Sequence, residues 1–151
     1  MSDSQKKEFS VLCWNIGNPS KERAGRQAGW LLRRPQDVLV LTEAKASEGC
    51  FLIKKYLEAM GYCVVFSIPT VNEYGIMVIR KKLIDVTNFA GRIQYLPTRV
   101  VSVRANMLEI IGVYIPSRGS QEGNMLLKKK HIILRAECLR STIKRYAFFR
   151  F

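Results

Sequence analysis

Two short apolar runs, FSVLCWNIG at residues 9–17 and DVLVLTE at residues 37–43, constrain this chain more than any other feature. Both favour β-branched and aromatic residues, lack strict polar alternation and are too short for helices of their own, as expected of strands buried on both faces. Between them Ser20 can cap a helix, Ala24, Ala28, Leu31 and Leu32 fall on one helical stripe, and Pro35 ends the run. A strand, a helix and a second strand in so short a span form a crossover unit, with parallel strands and a right-handed connection. If the strands are neighbours, Asn15 and Glu43 arrive at one sheet edge, where open α/β sheets collect ligands.

The pattern continues with Ser47 as the cap of a helix from about Cys50 to Met60, stopped by Gly61. Strands follow at Tyr62 to Ile68 and Tyr74 to Arg80. From Leu83 onward the alternation is period two, through Ile84 to Val86, Arg99 to Arg104 and Met107 to Pro116, with a tight connection at Ala105-Asn106. Consecutive short strands joined by turns predict an antiparallel meander. The expected fold class is therefore α/β (α+β), a mixed β-sheet with flanking helices. Residues 1–8 read as a polar lead, 9–123 as one domain and 124–151 as a basic tail. Ile132, Ala136, Leu139, Ile143 and Tyr146 fall at helical spacing in that tail and predict an amphipathic C-terminal helix.

Charge narrows the partners. Of the formal net charge of +13, the tail from Met125 to Phe151 carries +7, from eight Lys and Arg against the single acid Glu137. Such an excess favours polyanions, nucleic acid or an anionic membrane surface, although a solvated basic face has the same composition. Cys13, Cys50, Cys63 and Cys138 show no zinc spacing, and most sit in apolar runs where a free thiol acts as a small hydrophobe. The polar N-terminus and the lack of any run of 18 apolar residues argue against secretion and membrane spanning, so a cytoplasmic protein is expected.

Four polar residues stand out from this framework. Glu43, at the end of an apolar strand, suits Mg²⁺, which takes one or two carboxylates and keeps several waters; a surface Glu leading a helix would look the same. Asn15 is either a ligand-supporting amide or the start of the Asn18-Pro19 break. Tyr114 interrupts an apolar strand with a phenol that can touch a phosphate or simply reach the edge of the core. Arg118 lies on a Gly- and Ser-flanked loop open to a phosphate or to solvent. His131, the only histidine, sits among lysines with no base partner and reads as solvated.

Taken in order, W-N-I-G at 14–17, L-T-E at 41–43, Y-G-I-M-V-I-R at 74–80 and G-V-Y-I-P-S at 112–117 resemble the endonuclease/exonuclease/phosphatase superfamily. This is the deoxyribonuclease I-like group of Mg²⁺-dependent phosphodiesterases, and the resemblance covers about residues 8–123. It implies about half of a four-layer αββα sandwich, a catalytic set of Asn15, Glu43 and Tyr114, and a Mg²⁺ or Mn²⁺ ion held by Glu43 with support from Asn15. It further implies that Tyr114 contacts the scissile phosphate, with Arg118 able to supplement it, and that the substrate is a phosphate ester such as nucleic acid.

The superfamily's G-D-x-N and S-D-H motifs, whose Asp and His orient and activate water, do not occur in the sequence. The expectation is thus a truncated, nuclease-like phosphodiesterase that is weakly active or inactive as this chain. A sheet built to pack on another would then present an apolar face, covered in part by the tail helix through Ile132, Leu139, Ile143 and the terminal phenylalanines, with self-association over the rest. The alternative is a non-catalytic module that binds nucleic acid or a membrane surface through its basic tail.

Overall fold

The computed structural model describes residues 9–93, 97–115 and 146–149. The crossover unit forms as expected: β1 (Val11–Asn15), α1 (Lys21–Leu31) and β2 (Val38–Ala44), with β1 and β2 parallel in the register Val11↔Val38 to Asn15↔Thr42. Asp37 ties the two strands at their start, accepting from the Ser10 backbone N–H at 2.9 Å and from its hydroxyl at 3.0 Å. Helix α2 (Glu48–Ala59) follows, then β3 (Cys63–Phe66) and β4 (Gly75–Arg80), which complete a sheet of order β1-β2-β4-β3.

Both helix caps are those read from the sequence. Ser20 Oγ accepts from Arg23 N at 3.3 Å and Ser47 Oγ from Cys50 N at 3.4 Å, while Gly61 leaves α2 with φ +83°. Helix α2 starts two residues before the expected Cys50 because its N-terminal turn follows directly on Ser47. Ser47 Oγ also donates to Asn18 Oδ1 at 2.7 Å, so one hydroxyl joins the cap to the loop after β1. Ser47→Ala is expected to lower stability by about 1–2 kcal/mol in urea titrations, the upper end reflecting that second bond.

The meander residues do not extend this sheet. β5 (Asp85–Val86), β6 (Val100–Ala105), β7 (Leu108–Val113) and β8 (Tyr146–Phe149) form a second sheet in that order, with 3-10 turns at Ala90–Arg92 and Pro97–Arg99 before β6. The β6–β7 connection is tight and Asn106 takes the left-handed conformation it requires, φ +59°. β8 pairs parallel to β7. Tyr146, expected on the last turn of a C-terminal helix, is therefore in a strand; the rest of that predicted helix lies outside the described residues.

The alternation of β2 sets the layers. Leu39 and Leu41 pack with Ala24, Ala28, Leu31, Ile53 and Leu57 of the helices. Val38 and Val40 face the other way with Ile76 and Val78, against Val101, Val103, Ala105 and Ile110 of the second sheet. Gly112 permits that approach, since a Cβ there would stand 3.3 Å from both Ile76 Cγ2 and Val40 Cγ1. The described residues thus form a helix layer and two face-to-face sheets. This corrects the expectation of an exposed apolar sheet face: the chain's own second sheet covers it, because the meander folds back on β2 and β4 instead of lengthening their sheet. The far side of the second sheet is itself lined by Phe89 and Ile93, packed with Val100, Ile111 and Val113.

Candidate functional site

The parallel pairing brings Asn15 and Glu43 to the same edge, as the C-terminal ends of β1 and β2 run together. The chain after β1 stays on that edge: Ile16 N donates to Thr42 O at 3.1 Å and Asn18 N to Glu43 O at 2.9 Å. Asn15 is exposed, and its Oδ1 accepts from Gly17 N at 2.9 Å, a turn that holds the amide at the strand end.

Glu43 owes its direction to a bulge. By strict alternation it would follow Leu39 and Leu41 into the helix layer. Instead its backbone is left-handed, φ +55°, and the β2–β4 register shifts between Leu41 and Ala44. The extra residue moves Ala44 into the helix-side core and turns Glu43 toward the second sheet. There Tyr114 Oη donates to Glu43 Oε1 at 3.1 Å. A left-handed non-glycine residue costs about 1–2 kcal/mol, so the surrounding structure holds Glu43 against a local preference. The loop amide of Asn18 on its carbonyl and the Tyr114 hydroxyl on its carboxylate supply that restraint.

Tyr114 is 7% exposed, and burial together with the Glu43 carboxylate pushes its phenol up to about 12, against an opposing pull from Arg99. It therefore stays a protonated donor at neutral pH. Tyr74 meets the Tyr114 ring edge-on at 5.6 Å, Lys45 Nζ lies 4.7 Å above the Tyr74 ring, and Arg99 Cζ lies 5.5 Å from the Tyr114 centroid. An absorbance titration should show one tyrosine ionising near 12 instead of 10; Tyr114→Phe removes it, and Glu43→Gln lowers it only in part because burial is the larger cause. Because the folded phenol is the weaker acid, its contribution to stability is complete below pH 10 and is lost as the pH rises toward 12.

Asn15, Glu43 and Tyr114 are thus located on one end of the two sheets, with Glu43 and Tyr114 in direct contact. Arg118 and His131 lie outside the described residues. Arg99, Lys45 and Tyr74 were not singled out from the sequence. The arginine begins an alternating strand, and no local pattern marks it as buried. Among the described residues no group of three or more His, Cys, Asp or Glu gathers to hold a metal. One carboxylate and one exposed amide at this edge are oxygen donors of the kind that Mg²⁺ or Mn²⁺ takes together with water, and they do not make a dedicated all-protein cage.

Neither a scan against family models nor a search of curated proteins finds a match for this sequence. Solved structures do match. An AP endonuclease from Archaeoglobus fulgidus shares the fold with a TM-score of 0.72 at 19% identity, over 91% of this chain and 53% of that one. The 3′ phosphatase NExo from Neisseria, bound to a product DNA hairpin, gives 0.65 at 20% identity, over 89% and 52%. D. rerio TDP2, complexed with a single strand DNA product, gives 0.59 at 14% identity, over 95% and 59%.

This chain spans little more than half the length of these proteins. The fold they share with it is the deoxyribonuclease I-like arrangement of two packed sheets with flanking helices, matched over about half of each of those proteins. Among the described residues no helix is long and apolar enough to cross a membrane.

Proposed function

We propose that this chain is a Mg²⁺- or Mn²⁺-dependent, nuclease-like phosphodiesterase directed at phosphate esters, nucleic acid foremost, and weakly active or inactive as this polypeptide. The observation that carries the reading is the bulge that turns Glu43 out of the helix layer and onto the Tyr114 hydroxyl. Glu43 would hold the ion with Asn15 in support, Tyr114 would orient the scissile phosphate through its protonated phenol, and Arg118 would add a second phosphate contact. When bound, the divalent ion supplies charge to polarise the phosphoryl oxygen and to stabilise the leaving oxygen. The solved structures of similar fold that carry DNA products make nucleic acid the first substrate class to test.

The sequence offers no G-D-x-N or S-D-H motif to position an attacking water, and loss of such acid–base help costs about 10²–10⁴-fold. The test combines Mn²⁺ binding, followed by its electron paramagnetic resonance signal, with cleavage of plasmid and abasic DNA in Mg²⁺. The expected result is Mn²⁺ binding that Glu43→Gln removes, alongside slow or undetectable cleavage. Robust Mg²⁺-dependent cleavage abolished by Glu43→Ala would refute the inactivity, and Mn²⁺ binding indifferent to Glu43 would refute the site.

The +7 charge of residues 125–151 favours a second reading, a non-catalytic module that binds polyanions. Deleting those residues separates the two: such a module loses its affinity and several units of salt slope, whereas the Glu43 site keeps its metal dependence.

A further inference from the structure

The first turn of α1 carries a cation that the helix dipole disfavours. Carboxylates suit that turn, yet Arg23 stands three positions after the cap Ser20. Among the described residues it meets no carboxylate, whereas Arg26 on the same helix pairs with Glu22 at 2.6 Å in an exposed bridge. Arg23 turns back onto the loop after β1 instead, where its Nη2 donates to Gly17 O at 2.5 Å and to Ile16 O at 3.3 Å. Gln27, one turn further along α1, adds its Nε2 to Ile16 O at 3.3 Å.

Those two carbonyls belong to the two peptide units that hold the site. The Ile16–Gly17 unit has Arg23 and Gln27 on its oxygen, and its N–H is the one that donates to Asn15 Oδ1 at 2.9 Å. The Gly17–Asn18 unit has Arg23 on its oxygen, and its N–H donates to Glu43 O at 2.9 Å. A peptide unit is planar, with N–H and C=O pointing opposite ways, so a grip on the oxygen fixes the direction of the hydrogen. One guanidinium nitrogen thereby aims one N–H at the Asn15 amide and the next at the Glu43 backbone. Gly17 is left-handed at φ +58° and, as glycine, turns over at little steric cost, so the loop backbone alone does not keep these units in place.

We propose that Arg23 is a positioning residue of the metal edge, holding through one nitrogen the two peptide units that orient Asn15 and Glu43. The proposal rests on reading that edge as a divalent-cation site. Arg23 touches neither the ion nor the phosphate ester in this role. Its own charge opposes a nearby cation, so electrostatics alone would make its removal strengthen metal binding. Loss of position makes removal weaken it, and the two effects differ in sign.

The experiment uses the full chain, with Mn²⁺ affinity read by electron paramagnetic resonance and amide hydrogen exchange at Gly17 and Asn18 read by NMR without metal. The Arg23 side chain is exposed, so its replacement leaves the core intact. Arg23→Met is expected to bind Mn²⁺ about tenfold more weakly, the equivalent of one lost charge-assisted hydrogen bond, and to exchange both amides faster. Arg23→Lys, whose single nitrogen can replace Nη2, is expected to recover affinity to within about threefold of the parent. Gln27→Met, which leaves the Gly17 oxygen held, should speed exchange at Gly17 and spare Asn18. Arg23→Gln stands in if the methionine chain does not fold.

Mn²⁺ affinity at or above the parent in Arg23→Met would overturn the positioning role, whatever the melting temperature, and so would unchanged exchange at Gly17 and Asn18. Failure of the lysine to recover any affinity would overturn it too, because a donor at that place would then not suffice. Retention of Mn²⁺ by Glu43→Gln would overturn the metal reading instead, and the exchange rates, measured without metal, would then decide whether Arg23 holds the loop.

Discussion

Glu43→Gly is expected to melt above Glu43→Ala, with both variants stripped of divalent-cation binding. Each removes the carboxylate that would hold the ion and the acceptor of the Tyr114 hydroxyl, so those losses cancel in the comparison. What differs is the backbone. At φ +55° an alanine keeps the steric cost of the left-handed region and a glycine does not, a gap of about 1 kcal/mol. Urea titration of the pair measures it, and Mn²⁺ titration shows whether binding falls below detection in both. Equal midpoints would mean that the bulge relaxes once the carboxylate is gone, and that the Tyr114 bond alone holds Glu43 in place.

A second large effect is expected at Gly75 and Gly49. A Cβ on Gly75 would lie 2.0 Å from Ser67 O, and one on Gly49 would lie 2.0 Å from Pro19 O and 2.9 Å from Pro19 C. In both cases the obstacle is backbone, which cannot rotate away as a side chain can. Overpacking of this kind costs about 1–3 kcal/mol and sometimes more, a large share of a total of about 5–15. Gly49→Ala has a further consequence, because the segment it displaces continues from Asn18, whose amide caps the Glu43 carbonyl. It should therefore weaken Mn²⁺ binding in chains that remain folded, whereas Gly75→Ala should act on stability first. Thermal melts and Mn²⁺ titrations of the two variants test this division.

Much of this fold was legible in the sequence because it is written in local chemistry. Ser20 and Ser47 marked the caps, Gly61 the stop, and Asn15 and Glu43 the ends of two strands that do run side by side. The bulge was not legible, since left-handed positions are ordinarily signalled by glycine or asparagine and here the residue is a glutamate. Nor was the second sheet: alternation in Val100–Ala105 says that one face is buried, not which layer buries it. Arg99 escaped notice for the same reason, as its burial comes from the turn before β6 and the Tyr114 ring, not from its neighbours in sequence. Tyr146 fitted a helical stripe, yet Tyr146-Ala147-Phe148-Phe149 is also a good strand former, and pairing with β7 prevails.

The parallel β7–β8 pairing also bears on how the molecule assembles. The β6–β7 hairpin closes through a tight turn and can form early, but β8 must find β7 across a long stretch of chain. Until it arrives, the outer edge of β7 presents unpaired amides and carbonyls beside Ile110 and Ile111, a template for any neighbouring polypeptide. Refolding at high dilution should therefore give a larger yield of monomer than refolding of concentrated protein, with the hazard confined to the interval before the last strand docks.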